Sequence, residues 1–241
     1  MIRLDKLLSS LGLGSRAQVK QMLRAGRVSV NGITTLSGDS KVSQEDIIEA
    51  DGQALDTRVD RHLMMNKPAG VLTAARDVRQ QTVMDLLAPV YRGLECMPVG
   101  RLDKDTEGLL LFTTDGQAAH RLLSPQKQVQ KRYLARVTGR LDQSAVKRFE
   151  EGIELEGFRA LPAQLIILEA EDDSSLAEAI VCEGKFHQVK RMFAACGHEV
   201  TALTRLQFGP LMLDKSLAPG EYRELNADEW RQLLEAAGYD S

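Results

Sequence analysis

The sequence predicts an α+β fold with three parts: a small N-terminal module of paired helices plus a β element (residues 1–56), a short linker (57–61), and a larger body (62–241) on a mixed, largely antiparallel sheet. Two helical stripes and a hairpin signal crowd into the first 55 residues. The strands that follow are linked by short turns, without the regular strand–helix alternation of a doubly wound sheet. With 241 residues, 43% hydrophobic and 27% charged, the chain is long enough to bury two ordinary cores.

Leu4, Leu7, Leu8 and Leu11 repeat at helical spacing, and Gly12-Leu13-Gly14 breaks that stripe. Ser15 with Gln18 forms a capping-box pattern, after which Val19, Met22 and Leu23 give a second buried stripe. Gly26 is placed to end that helix, and Arg27 to Val30 alternates like a strand into the hairpin signal Asn31-Gly32. Beyond the polar linker, His62 to Asn66 reads as a strand that Lys67-Pro68-Ala69-Gly70 interrupts and Val71-Leu72-Thr73 resumes. Thr82 and Asp85 open a short helix over Val83 to Leu87. Leu109 to Thr113 is a strand, Asp115-Gly116 a turn, and Gln117 to Leu123 a helix closed by Ser124-Pro125. Arg132 to Val137 alternates as a strand, and Asp142 caps a helix running to Glu151. Strands over 163–169 and 176–182 lead to Gly184. A helix from His187 to Cys196 then buries Val189, Met192, Phe193 and Cys196 before Gly197 stops it.

Net charge is -3, yet the first 32 residues hold Arg3, Lys6, Arg16, Lys20, Arg24 and Arg27 against Asp5 alone, a local +5 against -8 for the rest. Arg16, Lys20, Arg24 and Arg27 line one face of the second helix and its exit, with no acid at i, i+4 to neutralise them. Such a face suits phosphate recognition. No apolar run is long enough to cross a bilayer, and the start lacks a signal-type apolar segment, so a cytoplasmic location is expected. Cys96, Cys182 and Cys196 form no C-x-x-C pair, and the four histidines lack ligand spacing.

The chemistry concentrates in Gly100-Arg101-Leu102-Asp103-Lys104-Asp105-Thr106-Glu107-Gly108, an acidic run that empties into an apolar strand. Asp103, Asp105, Glu107 and Gly108 fit the first half of a calcium loop. The twelfth position, however, is Thr114 in place of the bidentate Glu, and Leu109-Leu110-Leu111 fills the middle. No metal site is expected. A carboxylate beside Arg101 then points to covalent or acid–base work.

Several of these segments resemble known families. Arg3-Leu4-Asp5-Lys6-Leu7-Leu8, Ser15-Arg16 and Gly26-Arg27-Val28-Ser29-Val30-Asn31-Gly32 resemble the S4 RNA-binding domain over about the first 55 residues. The run from Gly100 to Leu110 looks like the central motif of pseudouridine synthases. Asn66 to Gly70, Lys131-Arg132-Tyr133 and Glu183 to Met192 resemble three further motifs of those enzymes, in order. With the S4-like module in front, the chain is similar to the RsuA/RluB/RluE/RluF family of ribosomal RNA pseudouridine synthases. The match at 187–195 and 217–223 is nearest the RsuA subgroup, which modifies one uridine of 16S rRNA; large-subunit subgroups tend to carry Arg where Lys190 stands.

The resemblance implies that Asp103 is the catalytic carboxylate, that Arg101 supports the site, and that Tyr133 stacks on the target uracil. It further implies that Lys190 pairs with Asp103, that Leu203 closes the apolar side of the base pocket, and that Arg205 lies close by. His187 is expected to orient its loop. Phe186 stands where the nearest relatives often have Tyr, a conservative change. Arg3, Lys6, Arg16, Lys20, Arg24 and Arg27 would bind RNA. The family's reaction needs no cofactor, and its partner is ribosomal RNA, free or in an assembling small subunit, with no membrane or nucleotide cofactor and a monomeric enzyme. A large-subunit 23S target and a non-catalytic ribosome-assembly role are the alternatives. For Asp103, direct attack at C1′ and a glycal-type elimination both remain open.

Overall fold

The computed structural model describes residues 1–43 and 45–239. Gln44, Asp240 and Ser241, which fall within the expected domain ranges, lie outside the described residues. The chain forms two compact units. One comprises Met1–Arg61 with Leu87–Met97; the other comprises His62–Leu86 with the chain from Pro98 onward.

In the first unit, α1 (Leu4–Ser10) and α2 (Arg16–Arg24) pack their leucine stripes together. Ser15 and Gln18 make the reciprocal capping box at the start of α2. Leu4, Leu7, Leu8, Val19 and Leu23 are buried with Val28 and Ile48. The β element has β1 (Val28–Val30) between β2 (Ile33–Thr34) and β3 (Ile48–Ala50), and β4 (Gln53–Ala54) pairs with β3. Asn31 and Gly32 both take positive φ, +52° and +78°, as a two-residue hairpin turn demands. A helix the sequence reading did not resolve, α3 (Pro89–Gly93), belongs to this unit. Gly93 passes so near Ser10 that a Cβ would lie 2.2 Å from its carbonyl oxygen. Arg61 is buried, with its guanidinium 3.0 Å from Asp56 and its Nε donating to the Arg58 carbonyl.

The second unit is built on a mixed sheet. Its strands are β5 (His62–Lys67), β6 (Glu107–Thr113), β7 (Lys131–Thr138), β8 (Gln164–Ala170), β9 (Ser174–Val181), β10 (Val200–Phe208) and β11 (Tyr222–Glu224). Their order is β8–β9–β7–β10–β6–β5–β11. Every neighbouring pair is antiparallel except β10 with β6, where Thr204 meets Glu107 and Arg205 meets Gly108. Helices α4 (Gly116–Leu123) and α7 (Ala227–Ala236) add Leu122 and Leu233 to a core with Met64, Leu109, Leu111 and Phe208. Phe149 of α5 (Gln143–Glu151) packs on Phe193 of α6 (Gln188–Ala195), ring centroids 5.1 Å apart.

Three local expectations are corrected. Val71-Leu72-Thr73 does not resume a strand; Leu72 makes a single bridge to Thr82 after the chain turns at Gly70, φ +84°. Asp115 is the N-cap of α4 rather than part of a free turn, its carboxylate accepting from the Gln117 and Ala118 amides. His187 stands outside α6 in a left-handed conformation, φ +51°. The sequence reading also did not assign β10, β11 or α7.

Candidate active site

Asp103 is held by a loop fastened from several directions. The Val99 amide donates to the Leu111 carbonyl. Buried Leu102 exchanges hydrogen bonds with the Thr73 hydroxyl, which donates to the Leu102 carbonyl at 2.9 Å and accepts from its amide at 3.2 Å. Under the loop, the fully buried Lys67 donates its amine to the carbonyls of Pro68, Lys104 and Thr106 at 2.9, 3.2 and 2.9 Å. Burial pushes that amine down to about 8. The amide of Thr106 closes a turn on the Asp103 carbonyl. Gly108 then takes φ +98° against the backbone of β10.

A second loop meets this one. Buried Glu183 accepts from the Leu161 amide at 2.8 Å and from the Gln188 side-chain nitrogen at 2.7 Å, while the Gln188 side-chain oxygen Oε1 accepts from the Lys185 amide. This bracing presents His187 and Lys190 to Asp103. His187 Nε2 lies 3.4 Å from one carboxylate oxygen, an ion pair only when the ring is protonated, and Lys190 Nζ lies 3.6 Å from the other. Phe186, 70% exposed, stacks on His187 with ring centroids 3.8 Å apart.

Tyr133 and Leu203 come from neighbouring strands. Lys131, Tyr133 and Ala135 alternate onto the buried face of β7, Tyr133 pairs with Arg205, and Ala135 pairs with Leu203. Arg101, Asp103, Tyr133, Lys190 and Leu203 thus surround one cavity of about 60 Å³. Tyr133 and Leu203 are buried, Asp103 is half-buried and Arg101 is exposed. Arg205 lines an adjoining cavity instead, and its Nε donates to the Leu109 carbonyl at 2.7 Å.

Asp105 also joins this group of charges. It is the nearer acid to Lys190, at 2.5 Å, and that ammonium holds its carboxyl below the usual range. The lysine bridges both acids of the loop. Sequence reasoning also passed over His187 as a neighbour of Asp103, and over Thr106, whose buried hydroxyl lines the cavity with no partner among the described residues. Strand period two was the available signal for Lys131, two residues from Tyr133 on the same face. No cluster of three His, Cys, Asp or Glu side chains suited to a metal occurs among the described residues.

On the first unit, Arg16, Lys20 and Arg24 are exposed along α2 and, like Lys6 on α1, form no ion pair among the described residues. Arg3 and Arg27 differ from the expected uncompensated row. Arg3 pairs with Asp5 at 2.7 Å and with Asp39, and Arg27 pairs bidentately with Asp51 at 2.6 and 2.5 Å. Asp51 is 24 residues from Arg27, beyond any i, i+4 inspection.

The family profile described as RNA pseudouridylate synthase matches residues 61–195, and that of the S4 domain matches residues 2–48. A Bacillus subtilis protein named an uncharacterized RNA pseudouridine synthase is 44% identical over 97% of this chain and 99% of its own length. The ribosomal small subunit pseudouridine synthase A of Yersinia pestis is 41% identical over 95% of this chain and 96% of its own. The ribosomal large subunit pseudouridine synthase B of Bacillus subtilis is 34% identical over 99% and 98%. A crystal structure of a pseudouridylate synthase superposes with a TM-score of 0.67 at 36% identity, covering 97% of this chain and all of that one.

Proposed function

The chain belongs to the RNA pseudouridylate synthase family with an S4 domain ahead of the synthase, and from that premise we propose that it converts one uridine of 16S ribosomal RNA to pseudouridine through Asp103. The carrying observation is the carboxylate itself, fixed by its turn and opening on a cavity walled by an aromatic ring, an aliphatic side chain and the cations of Arg101 and Lys190. The reaction breaks the N1–C1′ bond, turns the uracil, and joins C5 to C1′. The proton on C5 leaves, N1 gains one, and nothing is oxidised or reduced.

A uridine within folded RNA has to leave its stack to be reached. The face of Tyr133 replaces the lost stacking, and Leu203 covers the opposite apolar surface. Both attack at C1′ and elimination across the sugar need an ionised carboxylate held at a fixed angle. Lys190 and His187 orient it from the α6 side, and Lys67 holds its loop from below. Arg16, Lys20 and Arg24 contribute phosphate contacts from the S4 domain. The enzyme acts as a monomer in the cytoplasm, where its RNA is made.

The small-subunit target is supported by the relative of that name and by Lys190. Mapping pseudouridines in ribosomal RNA from cells lacking this protein tests it. One 16S site is predicted to revert to uridine, and to return with the wild type but not with Asp103→Asn. Reversion confined to 23S rRNA contradicts the small-subunit target, and an unchanged map contradicts the ribosomal assignment.

A further inference from the structure

A second cavity, of about 240 Å³, shares Arg101, Tyr133 and Gly184 with the first and is also lined by Lys131, Arg205 and Phe208. Lys131 is 6% exposed and Arg205 3%. Neither forms an ion pair among the described residues. Arg205 spends Nε on the Leu109 carbonyl, and among the described residues its buried Nη2 has no partner and Lys131 makes no side-chain hydrogen bond. Both cations lie over the Phe208 ring, 5.2 and 5.3 Å from its centroid, a weak substitute for an anion. Burial, with the Arg205 charge beside it, pushes the Lys131 amine down to about 8.

Two buried like charges without a carboxylate are unfavourable for the fold. No carboxylate among the described residues compensates them, and the cavity therefore suits an anion from outside the chain. A guanidinium fork and an ammonium converging on one small space suit a phosphate group. Position supplies the source. Lys131 stands two residues from Tyr133 on the same face of β7, roughly 6–7 Å along the strand, and Arg205 is the cross-strand partner of Tyr133. That spacing is comparable to the reach of a nucleotide from its base to its phosphate.

We propose that the cavity of Lys131 and Arg205 takes one phosphodiester of the RNA strand, next to the uridine whose base lies on Tyr133. This rests on the pseudouridine synthase reading. Base and phosphate of one nucleotide then occupy adjoining cavities that meet at Tyr133, so a phosphate contact sets how far the uracil reaches toward Asp103.

The test uses the full chain carrying Asp103→Asn, so that bound RNA is not turned over, with Lys131 intact, Lys131→Gln or Lys131→Arg. Affinity for ribosomal RNA is measured as a function of salt. Lys131→Gln is expected to weaken binding and to lower the slope of log K against log salt by about 0.7, the increment for one single-strand phosphate, and Lys131→Arg to restore both. Equal slopes in all three proteins, with RNA still bound, overturn the phosphate site and leave the enzymatic reading standing. Binding of inorganic phosphate to the Lys131 protein already saturated with RNA overturns it as well, since the cavity would then serve a free anion. Absence of RNA binding in all three, or full turnover by Asp103→Asn, overturns the enzymatic reading itself. If Lys131→Gln does not fold, RNA with neutral methylphosphonate linkages flanking the target gives the same readout: an unchanged slope overturns the site.

Discussion

Gly108 has no room for a side chain. A Cβ there would lie 2.3 Å from the Arg205 carbonyl oxygen and 2.8 Å from its nitrogen, and φ is +98°. Gly108→Ala is therefore predicted to destabilise the fold by about 2–4 kcal/mol, from backbone strain plus a clash with backbone that cannot move aside. A thermal melt reads this, and an unchanged midpoint contradicts it. Two residues away in the other direction, Thr106 abuts Asp105, whose pairing with Lys190 is exposed and weak. Asp105→Asn is expected to change turnover by about fivefold at most, because Asp103 lines the cavity and Asp105 does not. A loss as large as that of Asp103→Asn would mean that the two acids act together. At this scale the sequence was legible where a motif named the residue: Asp103, Tyr133 and Lys190 do converge. It was not legible for His187 and Lys67, whose roles depend on a left-handed turn and on three carbonyls gathered from two separated loop segments.

Capping boxes, stripes and the Asn31-Gly32 turn located α1, α2 and the first hairpin, because those signals are local. The elements that escaped are held from a distance. The C-terminal segment is one example. Arg223 on β11 reaches Asp214 at 2.6 Å and Glu229, near the start of α7, at 2.7 and 2.8 Å. Asp214, bonded to Ser216 and Arg223, is lowered from 3.8 to about 2. Its folded value is depressed, so the stability it lends is complete above about 4 and lost as pH falls toward 2. Melting across that range should show the loss, and Arg223→Met should reduce it in part, the Ser216 hydrogen bonds remaining; parallel curves would contradict the latch. On α2, replacing Arg16, Lys20 and Arg24 by Gln should lower the salt slope of RNA binding by about 2–3. An unchanged slope would make that face ordinary solvated surface. Arg3 and Arg27, already paired with acids, should contribute less.

For the whole molecule, the α+β class and the S4-plus-synthase order were readable because the motifs of the two parts fell in order along the chain. What composition concealed was the pairing of a net acidic chain with cations clustered on one helix and in one buried cavity. Average charge carries no information about such placement. The central claim is that Asp103 performs the isomerisation. Its most direct test is release of tritium from ribosomal RNA labelled at C5 of uridine, comparing wild type with Asp103→Asn at matched RNA occupancy. The expected result is a loss of about 10³-fold or more, with RNA affinity and melting temperature unchanged. Tritium release by Asp103→Asn within about tenfold of wild type would contradict the assignment.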